Sequence, residues 1–290
     1  LSLDGIIRPV TGVISKILAG RRHGYTDFII PADNILQAQL VPDVTLWPAG
    51  NLKAVYHHLS GTRLLPKVYT AAGKIVSGGA QASAQIQLHD IVGQDSAKRA
   101  LEIAAAGGHN LLFSGSPGTG KTMLARALPS LLPPLSQEEV LEVTQLHSLA
   151  SSQSQLFLRP PLRAPHHGCN LSTLVGGGPL LRPGEISLAH RGVLLLDEFP
   201  EFDRASLEAL RQPLEDRSIT VAKLGGSVRY PAHCMLVATA NPCPCGYQGS
   251  RRGECICNMM ALNRYKHRLS GPLMDRLDLF ASLDEIDYKR

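Results

Sequence analysis

The stretch GSPGTGKT, Gly115–Thr122, constrains this chain more than any other feature. It fits G-x-x-x-x-G-K-[ST] in full and stands between the apolar run Leu111-Leu112-Phe113 and the helical spacing of Lys121–Leu132. That context calls for a strand, a loop and a helix in succession. The glycines let backbone N–H groups wrap an anion, and the helix N-terminus adds its positive end. Gly115, Ser116, Pro117, Gly118, Thr119 and Gly120 would form the cradle. Lys121 would reach the β- and γ-phosphates of a nucleotide, and the Thr122 hydroxyl would ligate Mg²⁺. ATP and Mg²⁺ are therefore the expected cofactors.

A second motif turns nucleotide binding into hydrolysis. In VLLLDE, Val193–Glu198, two carboxylates stand at the end of a buried strand. Asp197 is placed to hold the Mg²⁺ shell and Glu198 to polarise the attacking water. A third apolar run, Met235–Ala240, ends on Asn241, whose side chain could orient the same water. Helix spacing over Asp95–Ala106, closed by Gly107–Gly108, completes an alternation of helices and wholly apolar strands. Such alternation predicts a parallel sheet flanked by helices, an α/β fold.

The chain is long enough for two domains. Residues 1–60 read as a small α/β piece. Its expected elements are a strand at Leu1–Leu3, a helix from Val13 ended by Gly20, and a strand Phe28–Ile30 stopped by Pro31. Residues 61–88, rich in Gly, Ser, Ala, Gln and Thr, read as a linker, and 89–290 as the nucleotide-binding domain. No apolar stretch is long enough for a membrane span, no signal peptide is visible, and a fragment of a cytoplasmic protein is expected. The net charge of +5 is compatible with nucleic acid without requiring it.

Cys243, Cys245, Cys255 and Cys257 form C-x-C-x9-C-x-C. Two close thiol pairs joined by a short loop can complete a tetrahedral sulfur site suited to Zn²⁺, with reduced free thiols as the alternative. The loop between them carries Arg251 and Arg252, which a rigid staple could present to nucleic acid or to a neighbouring subunit. Cys169 and Cys234 read as buried single thiols, and His166 and His167 as structural or interface residues.

DIVGQ at Asp90–Gln94, RAPHHG at Arg163–Gly168, RPGEISLAHRGVLLLDE, LEALRQPLEDRSIT, NPCPCG and RLSGPLMDRLDL, together with the phosphate loop, resemble the YifB/ComM family of magnesium-chelatase-like AAA+ ATPases. The resemblance implies an AAA+ P-loop core. Residues 1–60 would be the C-terminal part of a Lon-protease-like (ribosomal S5 domain 2-like) α/β domain. The remainder of that domain and the downstream lid would lie outside this chain. Ile91 and Val92 would pack the adenine, and Asn241 would be the sensor-1 residue. Arg276 would be an arginine finger acting in trans in a homo-hexameric ring, with Arg268 as the fallback. Leu174–Glu185 and the hairpin Ile219–Tyr230 would project into the ring's pore, offering Arg182, Lys223 and Arg229 to DNA phosphates.

The same resemblance implies a DNA helicase or branch-migration motor acting on single-stranded or branched DNA in natural transformation and recombination. The rivals are a magnesium chelatase subunit driving metal insertion, a σ54-type transcription activator, whose GAFTGA-like loop tip and helix-turn-helix pattern are not seen here, and a remodelling ATPase with a protein substrate. Proteolysis is disfavoured, because Ile14 stands where Lon-type proteases carry the catalytic lysine, and an isoleucine cannot take a proton from a serine.

Overall fold

The computed structural model describes residues 1–70, 86–151, 155–223, 226–268, 271 and 273–285. Most of the expected linker, residues 71–85, and Leu224 and Gly225 of the hairpin tip lie outside the described residues. The chain divides into two compact units, Leu1–Gln81 with Leu135–Arg159, and Ala82–Pro134 with Pro160–Arg290.

The first unit contains α1 (Val13–Arg22), β1 (Asp27–Pro31), α2 (Ile35–Ala38), β2 (Val44–Ala49), α3 (Leu52–Leu59), β3 (Val68–Thr70) and, from further along the chain, α6 (Gln137–Ala150). Its sheet runs β1-β2-β3, with β1 parallel and β3 antiparallel to β2. Val13, Ile14 and Ile17 of α1 form the core with Ile30, Val44 and Leu46.

Four local expectations change here. Leu1 and Leu3 form no strand and are exposed, for the nearby pairing is a single bridge between Ile6 and Asn51. The first helix does not end at Gly20 but continues to Arg22. A side chain at Gly20 would meet the Phe28 ring at 2.5 Å, so this glycine serves close helix–strand packing rather than termination. Part of the expected linker is structure, because β3 pairs with β2 and Thr70 Oγ1 donates to Val41 O at 2.7 Å. Finally, Leu135–Arg159 groups with the first unit, where a single span of 89–290 was expected. Its helix α6 starts on a capping box, Ser136 Oγ accepting from Glu139 N–H and the Glu139 carboxylate accepting from Ser136 N–H. Leu141 of α6 then packs against the α1 core.

The second unit contains α4 (Asp95–Gly107), β4 (Leu111–Gly115), α5 (Lys121–Leu131), β5 (Leu162–Arg163), α7 (Leu171–Val175), β6 (Gly176–Gly177), β7 (Arg182–Pro183) and α8 (Glu185–Leu188). It continues through β8 (Val193–Leu196), α9 (Arg204–Ala209), α10 (Arg211–Asp216), β9 (Ser218–Lys223), β10 (Gly226–Pro231), β11 (Met235–Ala240), α11 (Met259–Arg268) and β12 (Leu279–Leu283). Five strands form a wholly parallel sheet in the order β12-β4-β11-β8-β5. Strands covered on both faces need apolar side chains at every position, and β8 and β11 are buried throughout. Leu111, Phe113, Leu195 and Val237 meet Leu101, Leu124 and Leu128 from α4 and α5 in one core.

Strand order positions the site. Although β11 follows β8 in the chain, it is inserted between β4 and β8. The carboxyl ends of three adjacent strands therefore present the phosphate loop, Asn241 and the Asp197–Glu198 pair side by side. That is the edge at which open parallel sheets bind ligands. Two antiparallel hairpins, β6–β7 and β9–β10, stand apart from this sheet. They are tied together where Tyr230 OH donates to Leu181 O at 2.6 Å.

Candidate nucleotide-hydrolysis site

Lys121 opens α5 and is buried, with its ammonium turned back into the loop. Its Nζ donates to Gly115 O at 2.6 Å, to Ser116 O at 2.9 Å and to Asn241 Oδ1 at 3.1 Å. All three protons are thus engaged, and the third joins the phosphate loop to the tip of β11. Burial lowers the lysine pKa, while the Asp197 and Glu198 carboxylates act in the opposite direction. Gly118 and Gly120 have φ of 77° and 91°, the left-handed backbone that turns successive N–H groups inward. Gln94, from the DIVGQ segment, donates to Thr119 O at 3.2 Å and to Asp284 O at 2.6 Å, bracing the loop from outside.

The acids are held as a pair with different tasks. Thr122 Oγ1 donates to both Asp197 oxygens at 3.0 Å, an all-oxygen grouping that suits a hard cation such as Mg²⁺. Glu198 takes a left-handed backbone, φ 54°, which swings its exposed carboxylate away from the strand. A residue absent from the sequence reading holds this arrangement. Thr239, fully buried in β11, donates to Asp197 Oδ1 at 2.6 Å and accepts from Glu198 N–H at 3.0 Å. The signal was present, since Thr239 is the one polar residue of MLVATA. His167, read as structural or as an interface residue, has Nδ1 3.4 Å from Glu198 Oε2.

Among the other expected site residues, Ile91 is consumed by the core around α4 and α5, while Val92 is 73% exposed beside it. Arg276 lies in a 3₁₀ turn after α11, with Nε donating to Glu215 Oε1 at 3.0 Å. Asn110 anchors that segment, donating to Arg276 O at 2.8 Å and accepting from Leu236 N–H at 2.8 Å. Arg268, the fallback, donates to Pro200 O at 2.9 Å. Arg182, Lys223 and Arg229 are all exposed on the two hairpins. Pairing register sets Lys223 opposite Gly226 and Arg229 opposite Thr220. Alternation then puts Lys223 in phase with Ile219 and Val221, and Arg229 on the other face. Cys169, expected to be buried, is partly exposed; Cys234 retains slight exposure, yet burial pushes its thiol up to about 12.

The four-cysteine cluster forms as a group. All four sulfurs lie within 4.8 Å of one another. Cys243 Sγ is 3.3 Å from Cys245 Sγ and 3.7 Å from Cys255 Sγ, and Cys245 and Cys255 are 3.7 Å apart. A tetrahedron with zinc–sulfur bonds of about 2.3 Å has sulfur–sulfur edges of about 3.8 Å. A disulfide would need about 2.05 Å. The spacing of these sulfurs fits a metal of zinc's size and softness; without an ion the thiols compete for charge, a Tyr247 backbone hydrogen bond bringing Cys245 down while the neighbouring thiols push Cys255 and Cys257 up.

A buried lysine, an acid pair and an amide converging from three adjacent parallel strands are the parts that phosphoanhydride hydrolysis requires, and they place the chain among the AAA+ ATPases. Its lineage within that class follows from comparison. The family profile described as magnesium chelatase, subunit ChlI, matches residues 87–290, and the chain belongs to that family. It is 45% identical to competence protein ComM of Haemophilus influenzae over 96% of this chain and 54% of that protein. It is 43% identical to YifB of Escherichia coli over the same shares. Similarity to the magnesium-chelatase 67 kDa subunit of Chlorobaculum tepidum is 30%, over 54% of this chain and 23% of that one. The chain spans about half the length of the ComM and YifB relatives. No described helix is long and apolar enough to cross a membrane.

Proposed function

We propose that this ATPase is the motor of a homo-hexameric DNA helicase or branch-migration factor of the ComM type, serving natural transformation and recombination. In this reading Lys121 and the loop N–H groups bind the β- and γ-phosphates. Asp197 and Thr122 hold Mg²⁺, whose charge offsets that developing on the phosphates. Glu198 takes the proton of the attacking water, and Asn241 fixes that water's position. Arg276 exchanges Glu215 for the γ-phosphate of the adjoining subunit, so turnover requires a ring. Lys223, Arg182 and Arg229 contact the DNA backbone. One observation carries the reading: two latched hairpins bearing exposed basic residues lead into the strands that end at Asp197 and Asn241, β10 straight into β11 and β7 into β8 through α8. The first unit is taken as the non-proteolytic Lon-like module. In it Ile14 is fully buried core, with no titratable group to activate a serine.

A second reading, a chelatase subunit driving metal insertion, draws on the family description. The ComM likeness is higher in identity and covers almost twice as much of this chain. The test is ATPase rate measured with single-stranded, duplex and branched DNA. Stimulation by DNA is expected, and a rate indifferent to all three would remove the DNA motor.

A further inference from the structure

The cysteine cluster is not remote from the nucleotide site. Cys243 follows Asn241 by two residues, so the staple begins where β11 delivers its amide. Gly246, at φ 84°, lies so close to the phosphate loop that a Cβ there would stand 2.6 Å from Pro117 Cγ. Tyr265 OH donates to Asn241 O at 3.0 Å, holding the start of this loop from below. On its far side, Ser250 Oγ and Arg251 N–H donate to the Glu285 carboxylate, the latter at 3.0 Å, and the Ser116 side chain of the phosphate loop bonds to the same carboxylate. Arg252 follows, exposed, with a guanidinium nitrogen 4.0 Å from the position a Cβ would take on Gly118. A cation therefore stands beside Gly118 of the phosphate cradle, within electrostatic reach of the Glu285 carboxylate, on a loop whose two ends meet at four thiols.

We infer that Arg252 is a nucleotide-binding residue acting in cis: metal in the four-thiol site closes the 243–257 loop and holds the guanidinium against the phosphates of the bound nucleotide. A planar fork of donors suits phosphate oxygens, and a guanidinium keeps its charge at any relevant pH. The staple removes the loop's freedom beforehand, so nucleotide binding does not have to order it. Metal and nucleotide then bind cooperatively, each tightening the other by the same factor. This rests on the zinc reading of the cluster for its metal part alone.

The experiment pairs two readouts on the full chain: metal content by elemental analysis and ADP or ATP affinity by calorimetry. Arg252→Ala is expected to weaken both nucleotides about 10- to 100-fold, the range for losing a charge-assisted hydrogen bond, with metal content unchanged. Arg252→Lys should recover part of the loss. Chelation, with the fold checked by circular dichroism, should reproduce the Arg252→Ala affinity, and saturating ADP should slow metal removal. Wild-type affinity in Arg252→Ala overturns the assignment. Loss in Arg252→Ala from protein that purifies without metal leaves the arginine's role standing and overturns the staple. Full metal as purified, with nucleotide affinity unchanged once that metal has been chelated away, overturns the coupling while leaving the zinc site standing.

Discussion

Thr239→Val removes one hydroxyl from β11 and keeps the side chain's shape, so its consequences can be worked from two hydrogen bonds. Lost are the 2.6 Å donation to Asp197 Oδ1 and the 3.0 Å acceptance from Glu198 N–H. The first is a bond to a charged acceptor and the second leaves a backbone donor unpaired, together roughly 2–4 kcal/mol of folding stability. The site should suffer in a separate way. Among the described residues Asp197 would keep the Thr122 hydroxyl to orient it, and loss of an outer partner typically lowers metal affinity about 10- to 100-fold. Glu198 would also lose the contact that holds its left-handed backbone. The assay is ATPase rate against Mg²⁺ concentration, alongside urea denaturation. Thr239→Val should need far more Mg²⁺ for half-maximal rate, whereas Thr239→Ser, retaining the hydroxyl, should stay near wild type in Mg²⁺ demand. If Thr239→Val is less stable yet shows the wild-type Mg²⁺ dependence, the hydroxyl supports the fold only and the argument for Asp197 fails.

Lys121→Ala should abolish nucleotide binding, while Glu198→Gln should bind ATP and not turn it over; wild-type hydrolysis by Glu198→Gln would remove it as the base. Arg276→Ala should bind nucleotide but not hydrolyse it, and mixing it with Glu198→Gln should restore some turnover, because some interfaces then pair an intact base with an intact finger. No gain in any mixture would count against a finger acting singly in trans. Lys223→Ala should weaken DNA binding about equally across sequences and reduce the salt slope by about one unit, with ATP affinity untouched; an unchanged slope would take Lys223 away from the phosphates.

The central sheet and the heart of the site were legible because both announce themselves locally. Val193–Leu196 and Met235–Ala240 coincide with their expected bounds, since a strand covered on both faces can tolerate little but apolar residues. The phosphate loop, Asp197 and Asn241 sit at the ends of such runs, where a polar residue is conspicuous. Thr239 was overlooked because a lone hydroxyl inside an apolar strand reads equally well as filler. His167 comes to Glu198, and Arg252 to the vicinity of Gly118, from loops, and no local pattern encodes where a loop will fold back. Grouping α6 with α1 depends on contacts between residues more than a hundred positions apart, such as Gln145 Nε2 donating to Ser15 Oγ at 3.0 Å. Gly20 shows the opposite failure, in which a strong local signal for a helix end is overridden by the Phe28 ring packed against it.

The latch between Tyr230 and Leu181 has a mechanical consequence. From β10, which ends at Pro231, the chain enters β11 at Met235, and from β7, which ends at Pro183, it reaches β8 through α8. A pull on either hairpin is shared through the latch and enters two strands joined side by side, Met235 against Val193 through Ala238 against Leu196. Two parallel rails loaded at the same end advance together instead of shearing past one another. Asp197 and Asn241, at the far ends of those rails, keep their spacing under load, so force at the hairpins would displace both against Lys121, which opens α5 after the neighbouring strand β4, as one jaw of a vice.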